Sequence, residues 1–296
     1  MIEVKTRRRP LRIAYAVDLG RVDMPLLKNP EVPSEVDYLM IEGTYGNRKH
    51  SSIEDAEIEL ANAINKTIKR GGKIIIPSFA LERTQLIVFF ISQLMRKKKI
   101  KKIPIYVDGP LAVNVTDVFR ESADYFDIKT AKEFLNSGDP FGYDNVTYVK
   151  DVSKSKQIHD ITKPIILISA SGMCENGRIL HHLKNNIENP KNTIIVIGFM
   201  ANNTLGKRIV EKAKTVRIFG RIYELHAEVI TVNAFSSHAD RDGLLSYVKG
   251  VSKNVKGVFL VHGEAEQLDS LRADIRNKLN INPQIPAKGD IVYLKS

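Results

Sequence analysis

The chain holds one cysteine, Cys174, among 296 residues. A disulfide within the chain is therefore excluded, and so is a metal site built from a thiolate cluster. Such cysteine usage fits a reducing compartment, and a cytoplasmic location is expected. No stretch approaches the roughly 20 consecutive apolar residues that a membrane-spanning helix needs. The first nine residues hold no apolar core of a secretory signal. Internal repeats and low-complexity linkers are lacking. No Gly-x-Gly-x-x-Gly or phosphate-loop pattern follows a strand-like run, which argues against a nucleotide-binding α/β enzyme. Acidic charge is also scarce: 34 Asp and Glu face 45 Lys and Arg, a net charge of +11. That surplus attracts polyanions and suits nucleic acid, although Lys-rich compositions also serve thermal stability. Its densest run, Arg96 to Lys102, reads either as a solvated helix end or as a contact for an RNA backbone.

What is present is an ordinary globular composition, 43% apolar and 27% charged, enough for one large or two ordinary domains. Short β-branched runs alternate with longer amphipathic stretches. Strands are expected over residues 12–17, 38–42, 73–76, 103–107, 165–169, 193–197, 227–232 and 258–261. Several are apolar on both faces, as buried parallel strands are. A helix is expected from a capping box of Ser51 with Glu54, through Leu60, Ala61, Ile64 and Ile68, to Gly71-Gly72. A second is expected over 80–97, and a third follows Gly263 with Leu268, Leu271, Ile275 and Leu279. This alternation predicts an α/β architecture with mostly parallel sheets.

Polar residues with chemical potential gather where apolar runs end, the usual place for function in α/β sheets. Asp18 follows the first run, and Asp-Leu-Gly there serves equally a turn or a metal ligand. Glu42 ends an apolar strand, where an ionised carboxylate is costly without a cationic or histidine partner; capping of the next turn is the alternative. His238 sits in Phe235-Ser236-Ser237-His238-Ala239-Asp240, beside a possible serine cap for a helix near Asp242. His262 follows Leu260-Val261 and precedes Gly263. The neighbours His181 and His182 point about 100° apart on a helix, so they read as packing and surface. Two small-residue loops, Ser169-Ala170-Ser171-Gly172-Met173 and Pro77-Ser78-Phe79-Ala80 with Arg83, suit either a phosphate or a tight βα connection.

Taken in order, these motifs resemble one family. Asp18-Leu19-Gly20, Glu42-Gly43-Thr44-Tyr45-Gly46, Pro77-Ser78-Phe79-Ala80-x-x-Arg83-x-Gln85, Ser169-Ala170-Ser171-Gly172-Met173, Phe235-Ser236-Ser237-His238-Ala239-Asp240 and Val261-His262-Gly263-Glu264 are similar to the β-CASP proteins of the metallo-β-lactamase superfamily. These are RNA-processing and RNA-degrading nucleases. The likeness runs over nearly the whole chain.

The resemblance implies a partial metallo-β-lactamase αββα domain, its C-terminal half, from residues 1–42 and 229–296. Into it is inserted a β-CASP α/β domain over 43–228. It implies that Asp18 bridges two zinc ions, that His262 ligates one of them, that His238 assists the leaving group and that Glu42 holds His238. Ser169, Ser171, Gly172, Ser236, Ser237 and Arg83 are the implied RNA or phosphate contacts, and single-stranded RNA is the implied partner. The family's His-x-His-x-Asp-His cluster is not in this sequence, and Val17 stands where the family has glycine before the aspartate. The expectation is thus a zinc-dependent ribonuclease that is incomplete as this chain, a fragment or truncated product. Its apolar surface would then be covered by a second copy or by the missing half of the metallo-β-lactamase domain. The alternative is a non-catalytic RNA-binding or assembly subunit on the same scaffold.

Overall fold

The computed structural model describes residues 1–7, 9–142 and 144–295, with the backbone alone at 133–135, 137 and 233. In chain order its strands are β1 Ile2–Val4, β2 Leu11–Ala16, β3 Tyr38–Glu42, β4 Ile74–Pro77, β5 Ile105–Asp108, β6 Val146–Val149, β7 Ile166–Ser169, β8 Thr193–Ile197, β9 Thr215–Ile218, β10 Arg221–Glu224, β11 Glu228–Val232 and β12 Gly257–Val261. The helices are α1 Ile53–Lys69, α2 Arg83–Arg96, α3 Pro110–Glu121, α4 Ile128–Ser137, α5 Val152–Gln157, α6 Arg178–Asn186, α7 Leu205–Val210, α8 Arg241–Val251 and α9 Ala265–Leu279. None is long and apolar enough to cross a membrane.

Two compact units form. The first comprises residues 1–24, 28–50 and 237–296. Its sheet runs β1-β2-β3-β12, with β1 antiparallel to β2 and the other neighbours parallel. One sheet face and helices α8 and α9 bury Leu39, Ile41, Leu244, Val248, Leu260, Leu271 and Ile275 in one core. The other face carries a smaller cluster of Leu11, Tyr38 and Phe259, partly covered by Leu294.

The second unit comprises residues 25–27 and 51–236. Its six strands run β11-β8-β4-β7-β5-β6, all parallel. Ile74, Ile75 and Ile76 are buried on both faces of β4, which explains a run without alternation. Helix α6 sets Ile179 and Leu183 against Ile194 and Val196. The lone cysteine lies in that core, and burial pushes its thiol up to about 12, so Cys174 is inert. A separate antiparallel ribbon is made by β9 and β10.

Sequence expectation and structure differ in places. Helix α1 is capped by Ser52, whose side chain accepts from the Asp55 amide, one residue beyond the expected Ser51. Helix α2 begins at Arg83, not residue 80, because Ser78 to Glu82 form the turn that leaves β4. Strand β11, expected to open the return to the first domain at 229, pairs with β8. The second unit therefore extends to Ser236, and the units divide at 50/51 and 236/237.

Candidate active site

Four of the singled-out side chains come together in the first unit, each delivered by the end of a sheet element. Asp18 follows β2, Glu42 ends β3 and His262 follows β12, three strands that lie side by side and parallel. Parallel neighbours bring their carboxyl ends to one edge, so residues far apart in sequence converge there. His238 reaches the same edge from the segment before α8, where it forms an isolated antiparallel bridge with Gly20.

Glu42 is fully buried, and its two oxygens are both used. Oε2 lies 2.8 Å from His238 Nδ1, and Oε1 accepts from the Leu19 amide. An ionised carboxylate can only accept, so Nδ1 carries the hydrogen and Nε2 is the nitrogen of the neutral ring that can accept one. That nitrogen lies 3.9 Å from Asp18 Oδ1. The same oxygen lies 3.8 Å from His262 Nδ1. The Asp18 carboxylate is 74% exposed and the His262 imidazole 54% exposed, so the pair opens to solvent while Glu42 does not.

Backbone conformation aims these groups. Asp18 and His262 both adopt left-handed φ, 57° and 49°. Val17 therefore does not make the turn; Asp18 itself does, as short polar side chains tolerate. Gly46 is required by close approach, because a Cβ there would lie 2.5 Å from the Gln267 carbonyl oxygen at the start of α9. The α8 cap is Asp240, not a serine; it accepts from the Gly243 and His50 amides. Burial would raise its carboxyl, yet those amide bonds outweigh it and hold the group below the usual carboxylate range. Sequence reading gave no role to His50. Its Nε2 lies 3.1 Å from the His238 carbonyl oxygen, and its ring packs edge-on against Tyr45. No spacing rule would have found it, since it acts on the backbone of a residue 188 positions away.

The donor set fits a cation. Asp18, Glu42 and His238 each offer a ligand atom within 4.8 Å of the others. Glu42 is the weakest of the three as a ligand, because both its oxygens are already engaged. Two donors that share a zinc at about 2.0–2.2 Å each stand no more than about 4.4 Å apart. The Asp18–His262 and Asp18–His238 separations both lie inside that bound.

The expected phosphate contacts divide. Arg83 is buried, with Nη1 donating to the Ile197 carbonyl. Ser169 is buried and donates to the Asp108 carbonyl. The buried Ser236 hydroxyl has no hydrogen-bond partner. All three side chains are buried, so their proposed phosphate contact would need them to become accessible. Ser171 is half-buried, and Gly172 packs so closely on Phe79 that a Cβ would lie 2.6 Å from its ring. Ser237, in the first unit, is half-buried, and its carbonyl accepts from the Arg21 amide. His181 and His182 behave as read. His182 is buried with Nε2 2.6 Å from Asp108, and His181 lies on the surface against Phe219.

Comparison with known proteins places two matched domains on the chain. Residues 84–209 match the Beta-Casp domain. Residues 222–286 match the Zn-dependent metallo-hydrolase RNA specificity domain. The chain is 34% identical over 259 residues to Ribonuclease TTHA0252 of Thermus thermophilus, covering 88% of this chain and 59% of that protein. It is 32% identical over 285 residues to the RNase J-like protein of Methanocaldococcus jannaschii, covering 95% and 65%. Against Transcription termination factor FttA of Thermococcus kodakarensis it is 31% identical over 268 residues, covering 88% and 41%. The chain thus spans less than two thirds of the length of each of these relatives. With the ordered motifs, the two matched domains and the convergent acidic and imidazole groups in view, the chain belongs to the β-CASP family of the metallo-β-lactamase superfamily.

Proposed function

We propose that this chain carries part of a zinc-dependent RNA phosphodiester hydrolase. One observation supports the reading above all others: His238 and His262 each come within 4 Å of Asp18 at a strand-end edge, with buried Glu42 orienting His238. In this reading Asp18 and His262 are metal ligands, and the complete site holds two zinc ions. Bound zinc supplies charge neutralisation at the scissile phosphate and lowers the pKa of an attacking water. Glu42 fixes the imidazole of His238 so that Nε2 delivers a proton to the leaving oxygen. Ser171, Gly172 and Ser237 are the proposed phosphate contacts, with backbone amides as donors. In this reading the first unit corresponds to the partial metallo-β-lactamase domain and the second to the β-CASP domain.

Non-catalytic RNA binding or assembly is the second reading. It is favoured by the donor count: Asp18 and His262 offer one carboxylate and one imidazole to an ion that takes about four ligands. Zinc analysis of the purified chain together with cleavage of labelled single-stranded RNA separates the two. Stoichiometric zinc, with zinc and cleavage both lost in His262→Ala, supports the hydrolase. RNA binding without zinc or cleavage supports the second reading.

A further inference from the structure

The β9–β10 ribbon of the second unit combines two features that folding alone does not need. The first is its turn. Ile218 pairs with Arg221, leaving Phe219-Gly220 as a two-residue connection. Both residues have positive φ, 48° and 79°. Such a turn favours Asn-Gly, and a bulky aromatic at its first position is strained. Phe219 is nevertheless 54% exposed, so the strain is not offset by full burial of the ring. Its ring instead packs at 4.7 Å from the His181 ring, and Lys184 Nζ lies 5.9 Å from its centroid. Burial, followed by the Lys184 ammonium, lowers the His181 pKa, so that ring stands neutral beside Phe219 near pH 7.

The second feature is charge. From Leu205 to Arg221 the sequence has six lysines and arginines and a single acidic residue, Glu211. Glu211 pairs with Lys207. Among the described residues no ion pair involves Arg217, Arg221 or Lys184. Arg217 and Arg221 are exposed on β9 and β10. An exposed aromatic at a turn, with Lys184 beside its ring and uncompensated arginines two residues before and after it, one on each face of the ribbon, suits stacking of a base with neutralisation of the adjoining backbone.

The geometry points to a nucleic-acid contact separate from the candidate active site, in which Phe219 stacks a base of single-stranded RNA while Arg217, Arg221 and Lys184 hold its phosphates. The assignment rests on the RNA reading proposed above and extends it to a second surface. A test uses the full chain, a fluorescently labelled 20-nucleotide single-stranded RNA, and binding anisotropy under chelator across a salt series. Phe219→Asn supplies the favoured turn residue, so the ribbon is kept while the ring is lost. Affinity is expected to fall about tenfold, with Phe219→Tyr restoring it. The pair R217A/R221A is expected to reduce the slope of log affinity against log salt by about 1.4.

Unchanged affinity in Phe219→Asn, with wild type binding normally, overturns this surface and leaves the hydrolase reading standing. Absence of RNA binding by the wild-type chain overturns both. Poly-glutamate bound as tightly as RNA, and equally by wild type and Phe219→Asn, overturns the surface in favour of an acidic protein partner.

Discussion

Asp108 permits a prediction that needs no activity assay. Its carboxylate is fully buried at the end of β5 and accepts three hydrogen bonds. Arg178 Nη1 donates to Oδ1 at 2.7 Å, while Ser155 Oγ and His182 Nε2 both reach Oδ2 at 2.6 Å. Asparagine has nearly the same shape but only one acceptor oxygen. If its amide nitrogen takes the Oδ1 position, donor faces donor at Arg178. If it takes the Oδ2 position, His182 must accept at Nε2 and carry its hydrogen on Nδ1. That atom is buried without a partner, so the hydrogen would be unsatisfied. Either arrangement breaks a buried charged network, at a cost of about 3 kcal/mol. Hydrogen exchange at the β5 and β7 amides reports the second unit by itself, and Asp108→Asn should exchange there about 100-fold faster if global opening governs exchange. Burial alone would push the Asp108 carboxyl up, but the bonds from His182, Ser155 and Arg178 outweigh it and hold the pKa below its ordinary value. The folded pKa is therefore depressed, so this stabilisation is present above the unfolded value of about 3.9 and is lost as pH falls through the folded value. Exchange in Asp108→Asn within threefold of the wild-type rate at pH 7 would refute the network argument.

Three further outcomes are expected. If the proposed hydrolase reading holds, Glu42→Gln removes the acceptor charge beside His238 while keeping shape, and single-turnover cleavage of single-stranded RNA should fall about 100-fold; an unchanged rate would show that His238 moves no proton. Gly46→Ala should destabilise the first unit by about 1–3 kcal/mol, because the new methyl meets the Gln267 carbonyl oxygen and Leu271; thermal denaturation followed by circular dichroism measures it. Ser52→Ala should cost about 1 kcal/mol, more than Ser51→Ala, since Ser52 is the residue whose side chain caps α1; the order of the two denaturation midpoints decides.

Much of the architecture is legible in the letters because apolar runs and their ends are strong signals. Ile74 to Ile76, Thr193 to Ile197 and Val258 to Val261 can be little else than buried strands. Burial of Glu42 at a strand end demands a partner, and His238 supplies it at 2.8 Å. Short or mixed elements stay hidden. β1 has three exposed residues, and the β9–β10 ribbon is interrupted by Arg217 and Arg221 and closes through Phe-Gly rather than Asn-Gly. Burial of small polar residues stays hidden for another reason. A serine beside a loop reads the same whether it is exposed or, like Ser169 and Ser236, buried. The strand at 228–232 shows the limit of boundaries, since an apolar run does not state which sheet it joins.

The left-handed backbone at Asp18 and His262 places the candidate ligands in tension with the stability of their own scaffold. Glycine at either position would relax the local chain at no steric cost and remove the metal-binding group in the same step. A lineage released from catalysis would have an easy route to a sturdier protein there. The two side chains and their uncomfortable geometry thus stand or fall together.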